Sequence, residues 1–325
     1  MTGPRPALLH VVGQVGAGDP VTATARSLQH RLARLGHRGS LHSADALRSV
    51  TASDARLLLH SADGGGALGA AVDALDGRSG RPVTLVHHGS APGSDRRVLR
   101  RLRRLAGRAV GATPAAREEL RGLGYPHVGV LPAAVVDAAF EDVVPDPATA
   151  ADLPRHPGPR FLAIGPIAPG HGLEGLVTAF AEVVTVAAPS TVLSLCGPAD
   201  PAYRRRIDRL VAARGLLACE VVEPASEAEV LARLDQASVV ISLAPSGLDP
   251  YLWRAAARGC PVVAPLDPGT AHLGAALVEV PWHGGRGLAA ALAAAVERAA
   301  QPGPPPDLRR PNADDADLLA ALGLT

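Results

Sequence analysis

The chain has 325 residues, 47% of them hydrophobic and only 2% aromatic, with a formal net charge of +1. A chain of this length exceeds the size at which one apolar core keeps growing, so two domains of about 150 residues each are expected. The near-zero charge gives no global field for a polyanion, and no nucleic-acid partner is expected.

The segment Met1–His10 carries Arg5 and then a short apolar stretch, too short for a signal-peptide core, and reads as the first strand. Short β-rich runs then alternate with longer amphipathic ones. The strands expected in the first half are 7–12, 38–42, 56–60, 82–87, 109–112 and 127–131, with helices over 21–35, 95–105 and 114–123. Between Glu141 and Pro159 the prolines at 145, 147, 154, 157 and 159 predict neither helix nor central strand, which makes 146–159 a linker. The alternation restarts with strands at 161–165, 191–197, 220–222, 239–243, 262–264 and 277–280, and helices at 173–186, 202–214, 227–236, 251–258 and 286–300. After a second proline-rich break, Asp314–Leu322 reads as a helix that returns to pack elsewhere.

Strand and helix in strict alternation argue for parallel sheets of βα units. The expected organisation is a Rossmann-like domain over 1–145, the linker, a second Rossmann-like domain over 160–301 and a tail over 302–325. No apolar run reaches the roughly 18 to 20 residues that cross a bilayer. Cys196, Cys219 and Cys260 lie far apart and form no Cys-x-x-Cys pair, so neither a zinc site nor a disulfide framework is indicated, and a reducing cytosol fits best.

In open α/β sheets ligands bind beyond the carboxyl ends of the strands. One such loop reads Ile164-Gly165-Pro166-Ile167-Ala168-Pro169-Gly170-His171-Gly172 and leads into a helix ending Ala179-Phe180. This resembles the start of the donor domain of family-4 glycosyltransferases, whose usual form is Val-Gly-Arg-x-x-Pro-x-Lys-Gly. In that family the Arg and Lys hold the donor diphosphate; here Pro166 and His171 stand in their places. The Gly259-Cys260-Pro261 segment resembles the family's Gly-x-Pro-Val. Counting back from it puts Ser246 and Arg254 where the family carries the two glutamates that bind ribose and the transferred sugar. The resemblance extends through Tyr203, the Gly124–Pro132 segment and Gly16-Ala17-Gly18-Asp19, and so covers nearly the whole chain.

The resemblance implies an α/β protein of the GT-B class, two doubly wound Rossmann-like domains facing an interdomain cleft. It implies a metal-independent transferase that moves a sugar from a nucleotide-diphosphate sugar to an acceptor with retention, with no cofactor beyond the donor substrate. The donor-side candidates are Gly165, Pro166, His171, Ser246, Gly247, Leu248 and Arg254. Gly18, Asp19 and His60 belong to the acceptor and phosphate side, and His88 is the catalytic candidate. The loss of four charged donor ligands equally motivates a catalytically silent protein that binds a partner or a glycan. An epimerase on the same fold would need paired acid/base carboxylates in the cleft, and the sequence offers no convincing set.

Each candidate has a plainer reading. Gly18 and Asp19 are also what a tight turn and a helix cap require. His171 replaces a Lys only when protonated, a minority state near pH 7 for an unperturbed imidazole. Arg254, placed at the start of a helix, suits an anion, while an ion-paired Arg explains it as well. The arginines at 96, 97, 100, 101, 104 and 108 form a basic face. It is a candidate for peripheral contact with anionic lipid, but it is also what a chain without Lys uses for solubility.

Overall fold

The structure, a computed structural model, describes residues 7–13, 15–49, 55–62, 68–75, 82–90, 96–132, 135, 139–153, 158–186, 190–243, 249–266, 270–280, 287–301 and 315–324. Two six-stranded sheets are built entirely from parallel pairs. The first contains β1 (Leu8–Val12), β2 (Gly39–Ser43), β3 (Arg56–Ser61), β4 (Val83–His87), β5 (Arg108–Gly111) and β6 (Val128–Val130), in the order β2-β1-β3-β4-β5-β6. The second contains β7 (Arg160–Ile164), β8 (Val192–Cys196), β9 (Cys219–Val222), β10 (Val239–Ile241), β11 (Val262–Ala264) and β12 (Leu277–Glu279), in the order β12-β11-β10-β7-β8-β9. All twelve lie where the apolar runs predict them. Strands covered on both faces are continuous apolar stretches, as in the fully buried Leu57-Leu58-Leu59 of β3.

The helices are α1 (Pro20–Arg34), α2 (Gly69–Leu75), α3 (Arg97–Leu102), α4 (Pro114–Gly122), α5 (Pro147–Asp152), α6 (Leu173–Val186), α7 (Pro201–Ala213), α8 (Glu227–Asp235), α9 (Pro250–Ala257), α10 (Leu288–Ala300) and α11 (Asp315–Leu322). Helix α5 corrects the expectation that the proline-rich linker holds no helix. Pro147 occupies the first turn, where its missing N–H costs nothing, and the Asp146 carboxylate accepts from the amides of Ala148 and Thr149. The same Asp-Pro or Thr-Pro entry opens α1, α4, α7 and α9.

The last helix does return. It lies against β5 and β6 of the first sheet, with Leu318 and Leu322 buried. Asp315 pairs with Arg31 at 2.7 Å, and Arg108 donates to the Ala320 carbonyl at 3.1 Å. Gly129 makes room for it, since a Cβ there would sit 3.3 Å from the Ala321 Cα.

One apolar cluster runs through both domains. It joins Leu8, Ala23, Leu28 and Leu58 of the first to Ile164, Cys196, Val240 and Tyr251 of the second. In the first sheet the strand order reverses between β1 and β3, and in the second between β7 and β10. These two switch points are where ligands of such sheets sit.

Candidate functional site

The loop leaving β1 at the first switch point meets the loop leaving β8, the neighbour of β7 at the second, backbone to backbone. Gly18 follows β1 with a φ of 77°, and a Cβ added there would stand 3.1 Å from the Gly197 Cα beyond β8. A Cβ on Gly197 would stand 2.1 Å from the Gly165 carbonyl oxygen, so no side chain fits between these loops. Gly16 rests on Pro198, 3.3 Å from where its own Cβ would be.

Gly165, Pro166 and His171 line a small pocket of about 20 Å³ with Ile164, Leu173, Cys196 and Ser242, at the carboxyl ends of β7, β8 and β10. That space holds about one water molecule, so the pocket marks a concave corner of the loops and a larger ligand would extend beyond it. A larger cavity of about 190 Å³ lies at the amino ends of β7, β8 and β9, the side of the sheet remote from the switch point. Ser246, Gly247 and Leu248, the other expected donor residues, lie outside the described residues.

Arg254 is elsewhere. Helix α9 starts at Pro250 under the Asp249 cap, so Arg254 belongs to its last turn, at the carbonyl end and not the amide end that the anion reading requires. Its guanidinium forks onto Asp235 at the end of α8, at 3.3 to 3.4 Å, and Arg258 shares that carboxylate at 2.5 Å. The ion-paired reading of Arg254 is the one observed.

Asp19 caps α1. Its carboxylate accepts from the Thr22 amide at 2.9 Å and the Thr22 hydroxyl at 2.6 Å, while loss of solvent raises its pKa. His171 acts on it electrostatically across the loops, in the opposite direction.

Beside Gly18 lies a polar bridge between the domains that sequence patterns do not signal. The Gly18 amide donates to the Tyr251 hydroxyl at 3.0 Å, and that hydroxyl donates to Glu227 Oε2 at 2.6 Å. Glu227 Oε1 accepts from Arg26 of α1 at 2.7 Å. Tyr251 is fully buried and packs on Phe140 with ring centroids 5.0 Å apart. Burial raises the pKa of both Tyr251 and Glu227, and their mutual hydrogen bond lowers that of Glu227 in part.

Histidines occupy both faces of the first sheet. On one face His60 and His88 join His10, a residue the motifs do not single out. His10 Nδ1 is 3.2 Å from His60 Nε2, and His60 Nδ1 is 3.3 Å from His88 Nε2. All three are buried, and desolvation pushes His10 and His88 down to about 3 and His60 well below its ordinary value, so the row is neutral. On the other face His87 bonds Ser61 at 2.9 Å and Glu119 at 3.1 Å, and Glu119 pairs with Arg96 at 2.7 Å. Among the described residues no group of three or more His, Cys, Asp or Glu is arranged to hold a metal ion.

Several arginines of the 96–108 face are engaged within the protein. Besides Arg96, Arg101 pairs with Asp73 at 3.0 Å, and Arg108 donates to the Ala320 carbonyl at 3.1 Å. No helix of the described residues is long and apolar enough to cross a membrane.

The chain superposes on solved structures over nearly its full length. The sucrose-phosphate synthase of Thermosynechococcus elongatus matches 98% of this chain and 94% of its own, with a TM-score of 0.61 and 17% identity. The fold is GT-B. Anabaena HepE, solved with UDP and glucose, gives a TM-score of 0.58 at 15% identity, covering 97% of this chain and 100% of its own. The UDP-GlcNAc 2-epimerase of Neisseria meningitidis, bound to UDP-GlcNAc, gives 0.60 at 13% identity, with 97% of each chain covered. No family profile matches the chain, and no curated sequence is significantly similar to it. At these identities the GT-B likeness is one of architecture.

Proposed function

We propose that this GT-B protein binds a nucleotide-diphosphate sugar at the carboxyl edges of its two sheets and transfers the sugar, with retention and without a metal, to an acceptor that remains unassigned. The observation that carries the reading is the convergence of the Gly18 and Gly165 loops, at the two switch points, with the Gly197 loop beside them, around a pocket lined by His171. Close backbone approach leaves amides, and not side chains, to meet a ligand. The helix that follows His171, α6, offers its amide end to a leaving diphosphate. Structures of this architecture have been solved with UDP or a UDP-sugar, which supports the ligand class. With Arg254 held by Asp235, His171 is the cation candidate at the pocket. Charge-assisted phosphate contacts are the strong ones, so turnover should fall orders of magnitude below that of a site with paired Arg and Lys.

The Arg254–Asp235 pair favours a second reading, a protein that keeps the cleft but performs no transfer. The two separate on donor turnover. Incubating the full chain with UDP-, GDP- and ADP-sugars and following release of the nucleotide diphosphate should show slow release from at least one donor. Absence of release from every donor would leave the silent protein as the better account.

A further inference from the structure

The row of histidines has a property that a simple buried cluster lacks. Register sets its direction: His10 pairs with Leu58 in β3, so His60 lies two residues nearer the carboxyl edge. His60 pairs with Val86 in β4, so His88 lies two residues further again. The row therefore climbs diagonally from mid-sheet to the edge where ligands of open sheets bind.

Its hydrogen bonding is single-file. His60 uses one ring nitrogen towards His10 and the other towards His88. A neutral imidazole carries one N–H and one acceptor nitrogen. If His10 donates from Nδ1, His60 must accept on Nε2 and donate from Nδ1, and His88 then carries its proton on Nδ1. If the direction reverses, all three carry it on Nε2. Any other combination breaks one of the two bonds, so the three rings share one tautomer.

The ends of the row are open. His10 Nε2 and His88 Nδ1 are buried and have no hydrogen-bond partner. One of them must be an N–H without an acceptor, an unfavourable state for a buried donor. An acceptor oxygen arriving at the His88 end relieves that state and selects the Nδ1–H direction along the whole row.

We propose that His10, His60 and His88 form a tautomer relay that presents the Nδ1–H of His88 to an oxygen atom of the cleft ligand. His60 and His10 act as positioning residues. The identity of that ligand rests on the nucleotide-sugar reading above; the shared tautomer does not. The oxygen belongs either to the diphosphate or to a sugar hydroxyl.

Long-range proton–nitrogen spectra of the full chain labelled with ¹⁵N-histidine read the tautomers directly, with His10→Gln, His60→Gln and His88→Gln spectra supplying the assignments. With UDP-glucose bound, all three rings should be protonated on Nδ1, and the His88 Nδ1 resonance should shift. A shift already present with UDP alone assigns the oxygen to the diphosphate; one that needs UDP-glucose assigns it to the sugar. His60→Gln should weaken UDP-glucose binding about tenfold, one hydrogen bond's worth. A His88 ring protonated on Nε2 with ligand bound, or mixed tautomers along the row, overturns the relay. If neither ligand raises the melting temperature, the nucleotide-sugar reading fails. The relay is then judged on the free protein, where one shared tautomer upholds it and mixed tautomers overturn it.

Discussion

Acidification from pH 7 to pH 5 is expected to remove about 4 kcal/mol of folding free energy through His10 and His88, roughly 2 kcal/mol each, with His60 acting in the same direction. The sign follows from burial. Each ring has its pKa lowered in the folded state, to about 3 for His10 and His88, so the folded chain excludes protons that the unfolded chain accepts near its ordinary value. Their contribution is fully present above the unfolded pKa and is lost as pH falls below it. The titratable groups acting on the row are its own members and His87, and none is an anion that would favour the charged form. Asp19 and Glu227 act in the opposite sense, because burial raises their pKa values and the folded state takes their protons more readily. Chemical denaturation of the wild type and His10→Gln at both pH values isolates the histidine share. The variant should lose about 2 kcal/mol less than the wild type between the two; equal losses would contradict the account. A loss of several kcal/mol is comparable to the whole stability of a typical domain.

The second large effect is expected at Tyr251. Replacement by Phe keeps the ring on Phe140 but strips the hydroxyl from between the Gly18 amide and Glu227, leaving buried polar groups unpaired at a cost of about 1–3 kcal/mol. Replacement by Ala also opens a cavity in the apolar cluster common to both domains, for about 3–5 kcal/mol. Because the bridge joins α1 to α8 and α9, denaturation of Tyr251→Ala followed by separate probes in each domain should lose its single shared transition. A Tyr251→Phe protein as stable as the wild type would show that the bridge contributes nothing.

These two sites also mark how far the sequence can be read. Parallel strands buried on both faces are short apolar runs bounded by Gly or Pro, which is why β1 to β12 are legible in order. The prolines are harder, because the same residue that breaks a helix also starts one. Pro147 looks like linker composition until the Asp146 carboxylate is seen to cap the turn behind it. Helices α1, α7 and α9 begin one residue before their apolar periodicity for the same reason. Helix α2, Gly69-Ala70-Ala71-Val72-Asp73-Ala74-Leu75, has too short and too Ala-rich a run to show an apolar stripe.

Within the site, the glycines and His171 are legible because a βα loop is contiguous in sequence. The bridge is not, since Gly18 and Tyr251 are 233 residues apart and Arg26 and Glu227 are 201 apart. His10 reads as a lone polar residue in an apolar strand, and its meaning comes from a partner 50 residues away. Counting back from Gly259 fixes the motif position of Arg254, but only the helix phase turns its side chain onto Asp235.

The central claim is that the cleft takes a nucleotide-diphosphate sugar, and calorimetric titration of the full chain with UDP, UDP-glucose and GDP-mannose tests it most directly. The account predicts saturable binding of at least one of them, at one site per chain, with a Kd below about 1 mM, equivalent to about −4 kcal/mol. Titrations without saturable heat for all three, together with an unchanged melting temperature at millimolar ligand, would contradict it, because a ligand that binds the native state must stabilise it.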